Sequence, residues 1–153
     1  MQKKSPLRTF LAGCLITLFS VLVISCGAGN GGNNDVKAAM IDTAHFTTIE
    51  WLDSLSRNYG TIAEGDKLNV AFRFRNTGNT PLVIGQVRPS CGCTIAEQPQ
   101  KPIGPGEEGQ IRATFNSQGR SGMNHKTLFV NANTRGVQNY SLQFVVQVDK
   151  KPS

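Results

Sequence analysis

The Cys-Gly-Cys segment at Cys91, Gly92 and Cys93 is the part of the sequence whose residue types could carry chemistry directly. Two thiols at this spacing suit a redox-active disulfide, a soft ion such as Cu(I), or a mixed disulfide with a partner. In an extended strand, Cα atoms two residues apart are roughly 6.5–7 Å apart, at the upper edge of the disulfide range. Gly92 would permit a tighter turn. A structural role, as small buried side chains closed by a disulfide in an oxidising compartment, is the favoured reading.

Other polar residues do not form a recognisable catalytic set. Zinc usually takes four ligands, whereas His45 and His125 stand isolated in the sequence. No serine lies in a Gly-x-Ser-x-Gly motif. A basic stripe of Arg73, Arg75 and Arg88 is conceivable, but the solvated outer face of a sheet explains these residues better. We therefore expect a protein that is not an enzyme and has no resident cofactor, and the identity of any metal stays open.

The elements that position these cysteines are strands. Lys67 to Asn76 alternates apolar and polar residues over ten positions, which is typical of a strand with one buried face. Similar alternation predicts strands near residues 82–87, 111–115, 126–132 and 140–148, and residues 46–52 form a weaker candidate for an edge strand. Turns rich in Gly, Pro and Asn separate these segments. The pattern predicts an all-β sandwich at residues 46–149, with about seven antiparallel strands and a β-barrel as the alternative.

The amino terminus predicts export and lipidation. A short basic segment is followed by an apolar stretch of about 15 residues, shorter than the roughly 20 residues of a membrane-spanning helix. The stretch ends in a sequence that resembles a lipobox, with signal-peptidase recognition residues before the modified cysteine: Val23, Ile24, Ser25 and Cys26. We expect residues 1–25 to be a lipoprotein signal peptide and Cys26 to be lipidated. Residues 26–45, rich in Gly and Asn at the start, would form a flexible tether with a reach of roughly 25 Å.

Processing at this site changes the composition of the protein. The signal peptide takes away three of the 16 basic residues and none of the 10 acidic residues, so the formal charge falls from +6 to +3. It also removes Cys14, and lipidation uses Cys26, which leaves Cys91 and Cys93 as the thiols of the mature domain. No basic patch with interleaved aromatic residues is visible, so we expect no nucleic-acid partner. The expected location is the bacterial cell envelope, on a membrane and facing the periplasm.

Four segments together resemble a known family. They are residues 59–66, residues 72–78, the Cys-Gly-Cys-Thr element within residues 90–94, and residues 103–107. Their order and spacing resemble the bacterial domain of unknown function 1573 over residues 46–148. This family is similar to the immunoglobulin-type sandwiches of the Hydin and major sperm protein group, and its members are commonly exported, often as lipoproteins. The resemblance implies an immunoglobulin-like fold, but it brings no activity and no catalytic residues.

The sequence thus favours a membrane-anchored lipoprotein whose immunoglobulin-like domain is a non-catalytic binding or scaffold module. Its partners would be the membrane, through the lipid, and a protein of the cell envelope. The alternative is a periplasmic thiol-redox or Cu(I)-binding protein that uses Cys91 and Cys93.

Overall fold

The computed structural model of the protein describes residues 43–151. The predicted signal peptide, Cys26 and most of the predicted tether lie outside these residues. The last three tether residues, Thr43–His45, form a 3-10 turn. Within residues 43–151, no helix is long and apolar enough to cross a membrane.

Eight strands form two four-stranded sheets in this part of the chain, so the all-β prediction is confirmed. In chain order they are β1 (Ile49–Trp51), β2 (Ser56–Ala63), β3 (Lys67–Asn76), β4 (Ile84–Pro89), β5 (Thr94–Glu97), β6 (Glu108–Asn116), β7 (Gly122–Ala132) and β8 (Asn139–Asp149). One sheet has the order β1-β3-β6-β5 and the other β2-β8-β7-β4. All pairings between these strands are antiparallel except that of β2 with β8, which is parallel.

Alternation of apolar and polar residues explains why these segments are strands. Along β3, Val70, Phe72 and Phe74 are buried, while Asn69 and Arg73 are exposed. The same period recurs in β6, β7 and β8, where the buried face again points between the sheets. The inward positions of both sheets therefore meet in one layer, as in other β-sandwiches.

Aromatic side chains fill the middle of this layer. Phe72, Phe74, Phe115 and Phe144 are fully buried. The rings of Phe115 and Phe144 come from opposite sheets and meet edge to face, with centroids 6.1 Å apart. Edge-to-face geometry suits the ring quadrupoles and adds to the free energy gained by burial of the rings. Within residues 43–151, the core therefore joins the two sheets without a disulfide between them.

Candidate functional site: the β4–β5 turn and the β5 edge

The Cys-Gly-Cys segment lies in the turn between β4, which ends at Pro89, and β5, which begins at Thr94. Cys91 and Cys93 are joined there by a disulfide, with Cα atoms 5.3 Å apart. This distance is shorter than that of an extended segment because the chain turns at this point. The Thr94 N–H donates to the Cys91 carbonyl at 3.3 Å, which closes the turn.

The two sulfurs lie where the turn meets the core. Cys93 is 9% exposed and belongs to the buried cluster, and Cys91 is half-buried against that cluster. The hydroxyl oxygen of Thr94 is 3.8 Å from Cys91 Sγ and 3.9 Å from Cys93 Sγ. Gly92, between the cysteines, faces solvent, and no atom outside its chain neighbours lies within 4 Å of the place that a Cβ would occupy. The ring of the disulfide is therefore open to solvent on its glycine side.

A cleft of about 300 Å³ lies beside the disulfide on the outer face of the β1-β3-β6-β5 sheet. Its lining combines the turn, β5, β6 and the start of β3: Lys67, Gly92, Cys93, Ile95, Thr114, Asn116, Gln118 and Arg120. Residues distant in the chain meet here because β3 pairs with β6, with Lys67 opposite Asn116.

Positive charge surrounds the cleft. Lys67 and Arg120 line it, and neither forms an ion pair within residues 43–151. Lys126 lies on β7 of the other sheet, with Nζ 5.4 Å from the centre of the Phe115 ring. Burial lowers the pKa of Lys126, and the positive charge of Arg120 lowers it further. Two cations therefore line the cleft beside the disulfide, and a third, Lys126, interacts electrostatically with one of them; none of the three forms an ion pair within residues 43–151.

The strand that follows the disulfide, β5, forms an open sheet edge. Among the strands of residues 43–151, it pairs with β6 alone. The Asn116 N–H donates to the Cys93 carbonyl at 2.9 Å. From this pair onward, residues of β5 that hydrogen-bond to β6 alternate with residues whose backbone groups point the other way. The backbone N–H and carbonyl of Ala96 consequently point away from β6. The neighbouring side chain of Ile95 is 70% exposed, the highest value among the large apolar residues that are exposed within residues 43–151.

The neighbouring edge strand, β4, is closed by a side chain. Gln98 follows β5, and its amide lies along the outer edge of β4. Its Oε1 accepts the Val87 N–H at 3.0 Å, and its Nε2 donates to the carbonyls of Ile84 and Gly85 at 3.4 and 3.3 Å. The amide thus satisfies backbone groups that a partner strand would otherwise take. Pro89, which has no N–H, ends the same strand.

The other candidate residues are not brought together. Arg73 and Arg75 lie on β3, whereas Arg88 lies on β4 in the second sheet, so the three do not form one stripe. Arg73 is paired with Asp53 at 3.0 Å, and Arg75 with Glu50 and Glu108.

Histidine and acidic residues likewise form no cluster. His125 is an exposed residue of β7, opposite Val145, and His45 lies in the 3-10 turn. Within residues 43–151, no three His, Cys, Asp or Glu residues are placed to hold a metal ion.

The two packed four-stranded sheets form an immunoglobulin-like β-sandwich of the PapD-like type. A PapD-like domain of human CEP192 has the same fold, with a TM-score of 0.54 at 13% identity over 70% of this chain and 89% of that chain. The chain belongs to the protein family of unknown function DUF1573, whose model matches residues 49–148, so the family expected from the four segments is confirmed.

Two further solved structures share the fold. A protein of unknown function from Porphyromonas gingivalis W83 matches 70% of this chain with a TM-score of 0.59 and 16% identity. This chain spans about half of that protein, 49% of its length. The secreted serine protease VesC from Vibrio cholerae matches 69% of this chain and 24% of its own, with a TM-score of 0.52 and 13% identity. None of the curated proteins is significantly similar to this chain in sequence.

Sequence reasoning missed several residues of this site. Lys67 and Arg120 are separated from the cysteines by more than twenty residues, and no local pattern connects them to Cys91 or Cys93. Gln98 has an ordinary polar sequence context. A signal did exist for β5, because Thr94 to Glu97 alternates inward and outward directly after the cysteine motif, but four residues are a short run.

Proposed function

We propose that the protein is a lipid-anchored, non-catalytic binding protein of the bacterial cell envelope, and that it holds an extended segment of a protein partner along β5. The observation that carries this proposal is the free backbone edge at Ala96 beside the exposed side chain of Ile95. A peptide that adds to a sheet edge gains main-chain hydrogen bonds, and its side chains gain contacts with exposed apolar residues next to that edge.

The edges of the sandwich differ in how far they are protected. On β2, the pairing with β8 shifts register between Asn58 and Thr61, and Gly60 there has a φ of 72°. Such a bulge discourages the addition of another strand. On β4, the Gln98 amide occupies the edge. The fourth edge, β1, has only three residues, and its apolar side chains are half-buried. These differences favour β5 as the edge at which a partner segment adds.

The backbone requirement gives a direct test of this proposal. Ala96→Pro removes the outward N–H and places a ring in the path of an added strand, whereas Ala96→Ser keeps the N–H at the same position. Both full-length variants are cross-linked in intact cells, and the proteins captured are compared with those of wild type. We expect one partner to be captured by wild type and Ala96→Ser and lost in Ala96→Pro, with similar thermal unfolding of the two variants. Equal capture by both variants would exclude strand addition at β5.

The anchor is supported by the lipobox-like sequence before Cys26 and by the Gly/Asn-rich segment after it. The proposed anchor faces the periplasm, and no nucleic acid takes part. Metabolic labelling with a fatty-acid analogue, together with the mass of the protein on a denaturing gel, tests the anchor. Cys26→Ser should lose the label and stay an unprocessed precursor of higher mass, because cleavage follows lipidation of the cysteine, whereas the matched control Cys14→Ser should keep the label and be processed. Labelling that persists in Cys26→Ser would refute the anchor.

Thiol-disulfide exchange is the second candidate function, and the disulfide between Cys91 and Cys93 favours it. Cu(I) binding would first require reduction of this bond, because Cu(I) is held by free thiolates. Titration of thiols and Cu(I) competition in wild type, Cys91→Ser and Cys93→Ser test this candidate. Identical copper uptake by all three proteins would remove the Cu(I) function.

A further inference from the structure

The disulfide makes a small contribution to holding the fold together. A disulfide stabilises a protein mainly by closing a long loop in the unfolded chain. Cys91 and Cys93 are two positions apart, so this bond closes a loop within one turn and joins no separate elements. The sheets are already joined by a core of buried aromatic residues. A role outside global stability therefore explains the pair better.

The surroundings of the disulfide are suited to an anion. Lys67 and Arg120 line the adjacent cleft, and neither has an ion-pair partner in residues 43–151. Arg120 also acts electrostatically on Lys126. Glu64 reaches the same loop, where its Oε1 accepts the Gly119 N–H at 3.0 Å, but it forms no ion pair with Arg120. Unpaired cations in a concave surface concentrate anions near it.

We infer that the Cys91–Cys93 disulfide is a thiol-exchange site for small acidic thiols, meaning thiols that carry a carboxylate. The cleft, at about 300 Å³, has the size of a small-molecule site. The carboxylate is held by Lys67 and Arg120, which brings the thiol to the open glycine side of the ring. This inference rests on thiol exchange, the second candidate function, and names its substrate class; it does not depend on binding at the β5 edge.

The exchange proceeds in two balanced steps. The incoming thiolate attacks Sγ of Cys91, the more exposed of the two residues, and forms a mixed disulfide. The Cys91–Cys93 bond breaks, and its electron pair leaves on Cys93 Sγ, which lines the cationic cleft. A second thiol then attacks the mixed disulfide at the sulfur of the first thiol and releases Cys91. Two small thiols are oxidised to one disulfide, and their protons and electrons reduce the protein to two thiols.

Three small thiols that differ in charge provide the probes. The full-length protein in detergent is mixed with 3-mercaptopropionate, 2-mercaptoethanol or cysteamine, which add a negative, neutral or positive charge. Reactions are quenched with acid, and the rate of disulfide opening is expressed per thiolate and corrected for the basicity of each thiol. We expect the rate constant to fall about fivefold from the anionic to the neutral thiol and again to the cationic thiol. The preference should shrink with added salt, because ions screen charges at the surface.

Substitutions assign this preference to the cleft. Lys67→Gln and Arg120→Gln should each reduce the ratio of anionic to neutral rates by about twofold or more. The matched control is Arg112→Gln, because Arg112 is an exposed cation on the same face of β6 but lines a separate cleft. It should leave the ratio unchanged. Thermal unfolding of each variant checks that the fold is retained.

Three results would overturn the inference. The first is an equal rate of disulfide opening by the three thiols. The second is a wild-type ratio of anionic to neutral rates in both Lys67→Gln and Arg120→Gln. Peptide mapping of the quenched intermediate should place the mixed disulfide on Cys91, and a mixed disulfide on Cys93 would contradict the order of attack. Ala96→Pro should exchange at the wild-type rate. Capture by Ala96→Pro as strong as that by wild type overturns only strand addition at β5, and equal rates for the three thiols overturn only the exchange site, so the two failures are distinguishable.

Discussion

Replacement of Asp53 by Asn should remove part of the acid sensitivity of the folded domain. The Asp53 carboxylate accepts three hydrogen bonds from Arg73: from the backbone N–H at 2.8 Å, from Nε at 3.1 Å and from Nη2 at 3.0 Å. These bonds join the segment after β1 to β3. They also hold the pKa of Asp53 at about 2, below its ordinary value of 3.8.

The size of the effect follows from this pKa difference. Because one pKa unit corresponds to about 1.4 kcal/mol, the lowering of the pKa of Asp53 from 3.8 to about 2 corresponds to about 2–3 kcal/mol at most. The side chain of Arg73 is 59% exposed, so solvent screens the pair and we expect about 1–2 kcal/mol. Because the pKa is lowered in the folded state, the stabilisation is fully present above about pH 4–5. It is lost as the pH falls towards 2, where the folded protein is protonated as well.

Urea denaturation at pH 7, 5, 4, 3 and 2 measures this effect. Asp53→Asn should be less stable than wild type by about 1–2 kcal/mol at pH 7, and the difference should fall to a small part of that value at pH 2, where about half of the folded molecules have a protonated Asp53. Glu50→Gln is the control, because Glu50 is a half-exposed carboxylate that contacts Arg75 at 3.4 Å. It should change stability by less than about 0.5 kcal/mol. A constant difference between wild type and Asp53→Asn from pH 7 to pH 2 would refute the electrostatic explanation.

Three other substitutions test the fold around the site. Gln98→Ala should uncover the edge of β4 and produce a concentration-dependent dimer in sedimentation velocity, and a strictly monomeric variant would contradict the edge-capping role. Gly109→Ala should lower the free energy of unfolding by about 1–3 kcal/mol, because its Cβ would lie 2.6 Å from the buried ring of Phe74; chemical denaturation measures the loss. Asn133→Ala should cost about 2–3 kcal/mol in the same assay, because the buried Val83 N–H loses its acceptor at 2.7 Å.

The strands that the sequence predicts correctly are those with an unbroken period of two. In β3, ten residues alternate without interruption, and the same holds for much of β6, β7 and β8. β2 escapes prediction because the bulge at Gly60 shifts the phase, so Tyr59 and Ile62 both turn inward although three positions separate them. Its parallel pairing with β8 also joins segments more than eighty residues apart, which no local pattern reveals.

The chemistry of the site is only partly local in the sequence. The cysteine pair is visible as a motif, but the charges beside it depend on tertiary structure. Lys67 begins β3, and Arg120 follows β6, so the antiparallel pairing of these two strands brings them to one end of the sheet. The sequence shows both residues as isolated cations. Lys67 and Arg120 lie at the same end of the sheet because of the register between β3 and β6, and this register is known only from the structure.

The turn at Cys91–Cys93 also determines which groups β5 presents to solvent. β5 has only four residues, so its own side chains specify register weakly. Cys93 is anchored in the core, and its carbonyl accepts the Asn116 N–H at 2.9 Å, which fixes the first hydrogen bond of the ladder. A slip by one residue would turn Ile95 into the core and reverse the backbone groups that face outward. The cysteine turn therefore places the exposed Ile95 and the free backbone of Ala96 at the edge. The proposed binding strand and the proposed exchange site thus depend on the same turn in the fold, although each can be tested without the other.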